Sequence, residues 1–190
     1  MKRELTTKIR VALTASIALT LLASAGLGLR AFADDRDVKL RASLCGLREV
    51  PPNITPATAM LRATLDEVGK NIMFTLDYRN MSSALVKADI HFAQEDVRGA
   101  PMVFFCGGGG KPACPAATSG TITGTITAAD VVGPAAQGIA PGDFASVAHA
   151  IKTGNSYAEI HSNTFPDGEI RGQISALGHG SSRGRCDADD

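Results

Sequence analysis

The sequence predicts an all-β domain, an antiparallel sandwich of about eight short strands with one or two short helices. Three observations carry that expectation. Apolar and polar residues alternate with period two in run after run. The runs are punctuated by glycine and proline, 20 Gly and 9 Pro in 190 residues. Helical spacing shows up in only one or two short stretches, as a sandwich requires.

The first strand is placed at Val38–Leu44. Next, Ala59, Leu61, Ala63 and Leu65 alternate with Met60, Arg62, Thr64 and Asp66. Ile72, Phe74, Leu76 and Tyr78 then alternate with Asn71, Thr75 and Asp77, broken only by Met73. Glu67-Val68-Gly69-Lys70 joins these two runs as a hairpin with a glycine turn. Further strands are read at Ala84–Phe92, Pro101–Phe105, Thr121–Thr127, Ser156–Ser162 and Glu169–Leu177. Thr127-Ala128-Ala129-Asp130 has the form of a capping box with Asp in the Glu position, opening a single turn that Gly133-Pro134 ends. Asp143 N-caps a helix in which Phe144, Val147, Ala148 and Ile151 form one apolar stripe, and Gly154 supplies the left-handed stop. Gly107–Ala117 and Gly133–Gly142 read as loops.

Residues 1–33 read as an export signal: a basic start, an uncharged apolar stretch from Val11 to Leu29, and Ala31-Phe32-Ala33 as the cleavage site. The alternative is an uncleaved anchor, because 19 apolar residues just span about 30 Å of hydrocarbon. Both readings place the domain, 38–177, outside the cytoplasm, periplasmic or secreted, with no stable membrane insertion once the signal is cleaved. Residues 178–190 read as a flexible tail. Five of the 19 basic residues and one of the 19 acidic ones fall in the leader, leaving 14 and 18, a net charge of −4. Nucleic acid is thereby excluded as a partner, since phosphate binding needs a surplus of Lys and Arg. All four cysteines, at 45, 106, 114 and 186, lie in the exported part, which favours disulfides over a metal site. Cys106 and Cys114 flank one short loop and are expected to pair, leaving Cys45 and Cys186 as the other pair.

The alternation turns Lys87, Asp89 and His91 to the face opposite Val86, Ala88 and Ile90. It likewise turns out Tyr157, Glu159 and His161, and Glu169, Arg171, Gln173 and Ser175. Asp89, His91, Glu159, His161, Glu169 and Arg171 then share one face if their strands are neighbours, with Arg171 expected to bridge opposed carboxylates at 159 and 169. The simpler reading is a solvated, ion-paired surface. A metal site would use His91 and His161 with a carboxylate. A hydrolytic pair, Glu159 with Glu169, needs an apolar wall, whereas Arg171 stands nearby. Gly107–Gly110 with Lys111 is no phosphate loop, because Pro112 stands where Ser or Thr is required. His149 and His179 read as ordinary surface histidines, and no nucleophile elbow is present.

Several segments resemble the chordin-type domain, CHRD. Leu44-Cys45-Gly46-Leu47-Arg48-Glu49-Val50-Pro51-Pro52 is similar to the family's opening, and Ala88-Asp89-Ile90-His91 and Thr127–Val131 to its centre. Gly154–Ser162 followed by Pro166-Asp167-Gly168-Glu169-Ile170-Arg171-Gly172-Gln173-Ile174 is similar to its closing signature. The family commonly carries His-Ile-His where this chain has Asp89-Ile90-His91, and Asn-Val-His-Thr where it has Glu159-Ile160-His161-Ser162. The resemblance implies a β-rich extracytoplasmic module of the single, bacterial type, without enzyme activity or cofactor. The expected sandwich is immunoglobulin- or superoxide-dismutase-like; His-x-His on a strand resembles the copper/zinc dismutase pattern, which Asp89 breaks here. The leading functional expectation is a non-catalytic interaction module whose partner is an envelope or extracellular protein or glycan. The competing one is a copper- or zinc-binding protein, or an enzyme, using His91 and His161.

Overall fold

The computed structural model describes residues 37–177 together with Cys186; the expected leader, and the tail apart from Cys186, lie outside the described residues. The described residues form nine antiparallel strands: β1 (Asp37–Cys45), β2 (Thr58–Asp66), β3 (Asn71–Arg79), β4 (Leu85–Phe92), β5 (Ala100–Cys106), β6 (Gly120–Thr127), β7 (Ser156–Ser162), β8 (Ile170–Gln173) and β9 (Ser175–Ala176). The ladder order is β5-β4-β7-β8-β1-β2-β3-β6, with β9 also on β1. The terminal strands β5 and β6 lie beside each other without pairing, so the sheet is nearly closed and the architecture is all-β, as the alternation predicts. The single strand expected over Glu169–Leu177 is split between β8 and β9. At the break the Ile174 N–H leaves the β1 ladder and donates to Ser156.

Leu40, Leu44, Leu61, Leu65, Ile72, Leu76, Ile90, Ile126, Ile160 and Ile170 fill the inside of the curved sheet and are essentially inaccessible. They are the alternate residues of their strands, which is why the period-two pattern was readable. Helix α1 (Phe144–Lys152) adds Phe144, Val147, Ala148 and Ile151 to this core, with His149 exposed. Asp143 caps α1 by accepting from the Ser146 N–H at 3.0 Å, and Gly154 turns away at φ +72°. The capping box at Thr127–Asp130 is formed, and it opens the 3-10 turn Ala128–Asp130. Both disulfides are present: Cys106–Cys114 closes the glycine-rich loop, and Cys45–Cys186 ties the chain after β9 back to the end of β1. No described helix is long and apolar enough to cross a membrane.

Candidate metal centre

The sheet's other face departs from the simpler expectation in one respect that decides the chemistry. Asp89, His91, Glu159, His161, Glu169 and Arg171 are not solvated; each is at most 6% exposed. Three loops fold across them. In the segment after β4, Ala93 O accepts from Gln173, Gln94 O from Arg171, and Gly99 O is 2.9 Å from His91 Nδ1. From the segment after β7, Pro166 O lies 3.0 Å from His161 Nδ1. Asn53, in the loop after β1, donates to Gly168 O at 2.8 Å. Arg98 closes the cover by donating to Asp167 O. The sheet alternation places these side chains on one face, but only long-range loop contacts bury it.

Register sets what meets what. Asp89 on β4 stands directly opposite Glu159 on β7, with His91 opposite Tyr157 and His161 opposite Lys87. His91 and His161 therefore lie on opposite sides of the Asp89–Glu159 rung, and both rings reach in over it. His91 Nε2 is 3.0 Å from Asp89 Oδ1 and 3.0 Å from Glu159 Oε2. His161 Nε2 is 3.3 Å and 3.1 Å from the same two oxygens. The four donors lie within 4.8 Å of one another.

Two members of the expected cluster stand apart. Glu169 is fully occupied elsewhere: Thr55 Oγ1, the Ser82 N–H and Ser82 Oγ all donate to it at 2.8–2.9 Å. Arg171 does not bridge carboxylates 159 and 169. It lies opposite Glu159 in the ladder, but its guanidinium sits 3.5 Å over the Tyr157 ring and donates to Gln94 O. The expected bridge fails because the β7–β8 hairpin pairs Ile160 with Ile170, so residues 159 and 169 are not opposed. Glu49, which was not foreseen, and Tyr157, which the alternation turned to this face but the expected cluster left out, join the site. Glu49 lies in the family-like opening segment and is 3% exposed, and Tyr157 is 1% exposed.

Charge balance in this dry pocket is demanding, since like charges directly opposite one another on a sheet repel. Burial opposes ionisation of Asp89, but the two imidazoles outweigh it and bring its pKa to about 2. Burial likewise opposes Glu159, which His161 above all draws below the ordinary range. Burial would lower His161, yet Asp89 and Glu159 raise it to about 9. Glu49 is pushed well above the usual carboxylate range, by burial first and by Glu159 second.

Hydrogen bonding defines the tautomers. A carbonyl oxygen can only accept, so Nδ1 of both histidines carries the proton, and in the neutral ring Nε2 presents a lone pair. Such carbonyl anchors are the usual outer partners of metal-bound histidine. With both rings neutral, four lone-pair atoms converge, an arrangement able to hold a cation. The His161 proton balances part of the carboxylate charge in the ion-free state, although at 3.0–3.3 Å neither Nε2 and neither oxygen of Asp89 has a hydrogen-bond partner of acceptable geometry. A central ion serves well. With bonds of about 2.1 Å, neighbouring donors are about 3.0 Å apart at right angles and about 3.4 Å apart at the tetrahedral angle, which brackets the four imidazole–carboxylate distances. The donor set, two imidazoles and two carboxylates, suits Zn²⁺ or Cu²⁺. Ca²⁺ asks instead for six to eight oxygens. A divalent ion also cancels the two carboxylate charges.

Among known proteins, the CHRD domain family matches residues 40–174. The chain belongs to that family. The match runs from within β1 to just past β8 and takes in every donor of the cluster, as well as Glu49 and Tyr157. Comparison with curated proteins and with solved structures returned no match.

Proposed function

We propose that this CHRD-domain protein is an exported metalloprotein that holds one divalent transition ion, zinc or copper, between Asp89, His91, Glu159 and His161. The observation that carries this reading is the convergence of four buried donor atoms, two of them imidazole nitrogens whose other ring nitrogen is anchored on a backbone carbonyl. The leader-like first 33 residues and the two disulfides support a site of action in an oxidising compartment. Four protein donors would leave no position for a water, as in structural rather than catalytic zinc. The ion accordingly braces the module, and recognition of an extracellular protein or glycan is left to the outer surface.

Metal analysis of the protein purified from the cell envelope or medium, and after reconstitution and dialysis, tests this. One zinc or copper per chain is expected, with excess Ca²⁺ or Mg²⁺ unable to displace it, and with loss of the ion in His161→Ala. Wild-type protein that retains no ion after reconstitution overturns the reading.

A further inference from the structure

Tyr157 occupies a place in the site that neither the ion nor the core explains. It is buried, yet it lies on the polar face, between His91 on β4 and Arg171 on β8. Its ring stacks on the His91 imidazole with centroids 4.9 Å apart and planes 15° from parallel. The Arg171 guanidinium packs on the same ring at 3.5 Å, which adds a cation–π attraction and holds the tyrosine in place. The hydroxyl accepts from the Gly99 N–H at 3.2 Å. Gly99 is also the residue whose carbonyl takes the His91 Nδ1 proton at 2.9 Å. Tyr157 therefore grips His91 twice, through the ring face and through Gly99, the residue whose carbonyl sets its tautomer.

His161 has the carbonyl anchor but no such stack: its ring is tilted at 33° to His91 with centroids 6.2 Å apart. The loop carrying Gly99 is exposed for most of its length, from Gln94 to Arg98. Without the hydroxyl, the Gly99 N–H would lose the acceptor that ties it to β7. His91 would then keep its carbonyl partner but lose one of the two supports that Tyr157 gives it.

We propose that Tyr157 is the positioning residue of the metal centre, fixing the plane and tautomer of His91, and hence the direction of Nε2, without touching the ion. This rests on the metal-site reading above. Removing an outer partner of a metal-bound histidine typically weakens binding 10- to 100-fold, so the effect belongs in ion affinity and ligand geometry rather than in folding alone.

The test compares wild type, Tyr157→Phe and Tyr157→Leu by Zn²⁺ competition against a chromophoric chelator and by the visible spectrum of the Co²⁺-loaded protein. Tyr157→Leu is expected to bind Zn²⁺ about 10- to 100-fold more weakly and to shift the Co²⁺ bands. Tyr157→Phe keeps the stack and loses the hydroxyl, so it should recover most of the spectrum and bind roughly three- to ten-fold more weakly than wild type. Tyr157→Leu that binds Zn²⁺ within twofold of wild type, with an unchanged Co²⁺ spectrum, overturns the proposal. If Tyr157→Leu does not fold, Tyr157→Phe decides, and affinity equal to wild type overturns it. Wild-type protein that binds neither ion sinks the metal site itself, and this proposal with it. A normal wild-type site with an indifferent Tyr157 sinks this proposal alone.

Discussion

Raising the pH of the ion-free protein should destabilise it through His161, and the size of the effect follows from the site. Burial alone would lower the pKa of this imidazole, but Asp89 and Glu159 overcome it, so the folded value is about 9 against 6.5 unfolded. Because the folded pKa is the higher one, the folded state holds the proton more tightly. The stabilisation is complete below pH 6.5 and is lost as pH rises through 9. A difference of about 2.5 pKa units corresponds to about 3 kcal/mol, or roughly 6 to 12 °C in Tm for a domain of this size. Glu49 adds a slope of the same sign, since its carboxyl is also raised, chiefly by burial. The measurement is therefore made in a Glu49→Gln background, by urea denaturation of chelator-treated protein from pH 6 to pH 9.5, with a His161→Gln partner as control. The ion reverses the trend, because binding must expel the His161 proton. Apparent Zn²⁺ affinity should then rise about tenfold per pH unit between pH 7 and 9. Stability that is flat across this range, or that falls equally in the His161→Gln partner, would refute the charge balance derived for the site.

Three further outcomes are expected. Loading with Zn²⁺ should slow hydrogen exchange at 93–99 and 163–168, whose carbonyls anchor the two histidines, and leave β2, β3 and β6 unchanged; uniform protection or none would contradict a local brace. Gly168→Ala should cost about 1 to 3 kcal/mol and weaken ion binding. Its backbone sits at φ +126°, and a Cβ there would lie 2.5 Å from Glu159 Oε1 and 3.0 Å from Glu49 Oε1; an alanine variant that denatures and binds like wild type would show that the loop yields freely. Cys45–Cys186 spans a sequence separation of 141 and Cys106–Cys114 one of 8. By chain entropy these contribute about 5 and about 2.5 kcal/mol. Cys186→Ser should therefore lower the urea midpoint more than Cys114→Ser, and the reverse order would refute that ranking.

How much of this was legible in the sequence follows from which interactions are local. Ile72, Phe74, Leu76 and Tyr78 announce β3 because the period of a strand is built into the chain. Asp143 and Gly154 likewise mark the ends of α1, because capping acts within a turn. The same alternation placed Asp89, His91, Glu159 and His161 on one face. It could not say that the face is dry, because the cover consists of loops with no periodicity, held by contacts such as Asn53 to Gly168 O and Arg98 to Asp167 O across more than 60 residues. Register was equally out of reach. A carboxylate pair was expected at 159 and 169, but the facing pair is Asp89 and Glu159, and Arg171 turns to Tyr157 instead of to Glu169. Tyr157 was turned to this face by the same alternation but left out of the charged cluster because it carries no charge, and Glu49 was missed because it stands outside the alternating strands. The one sequence signal for Glu49 was its place in the Leu44–Pro52 motif.

The central claim is that a single ion sits among two imidazole nitrogens and two carboxylate oxygens. X-ray absorption at the zinc or copper edge of the loaded protein tests this most directly. Two nitrogen and two oxygen neighbours at about 2.0 to 2.2 Å, with outer-shell scattering from two imidazole rings, are expected, and one ring should vanish in His91→Ala. A spectrum with no imidazole scattering, or one unchanged in that variant, would place the ion elsewhere and contradict the account.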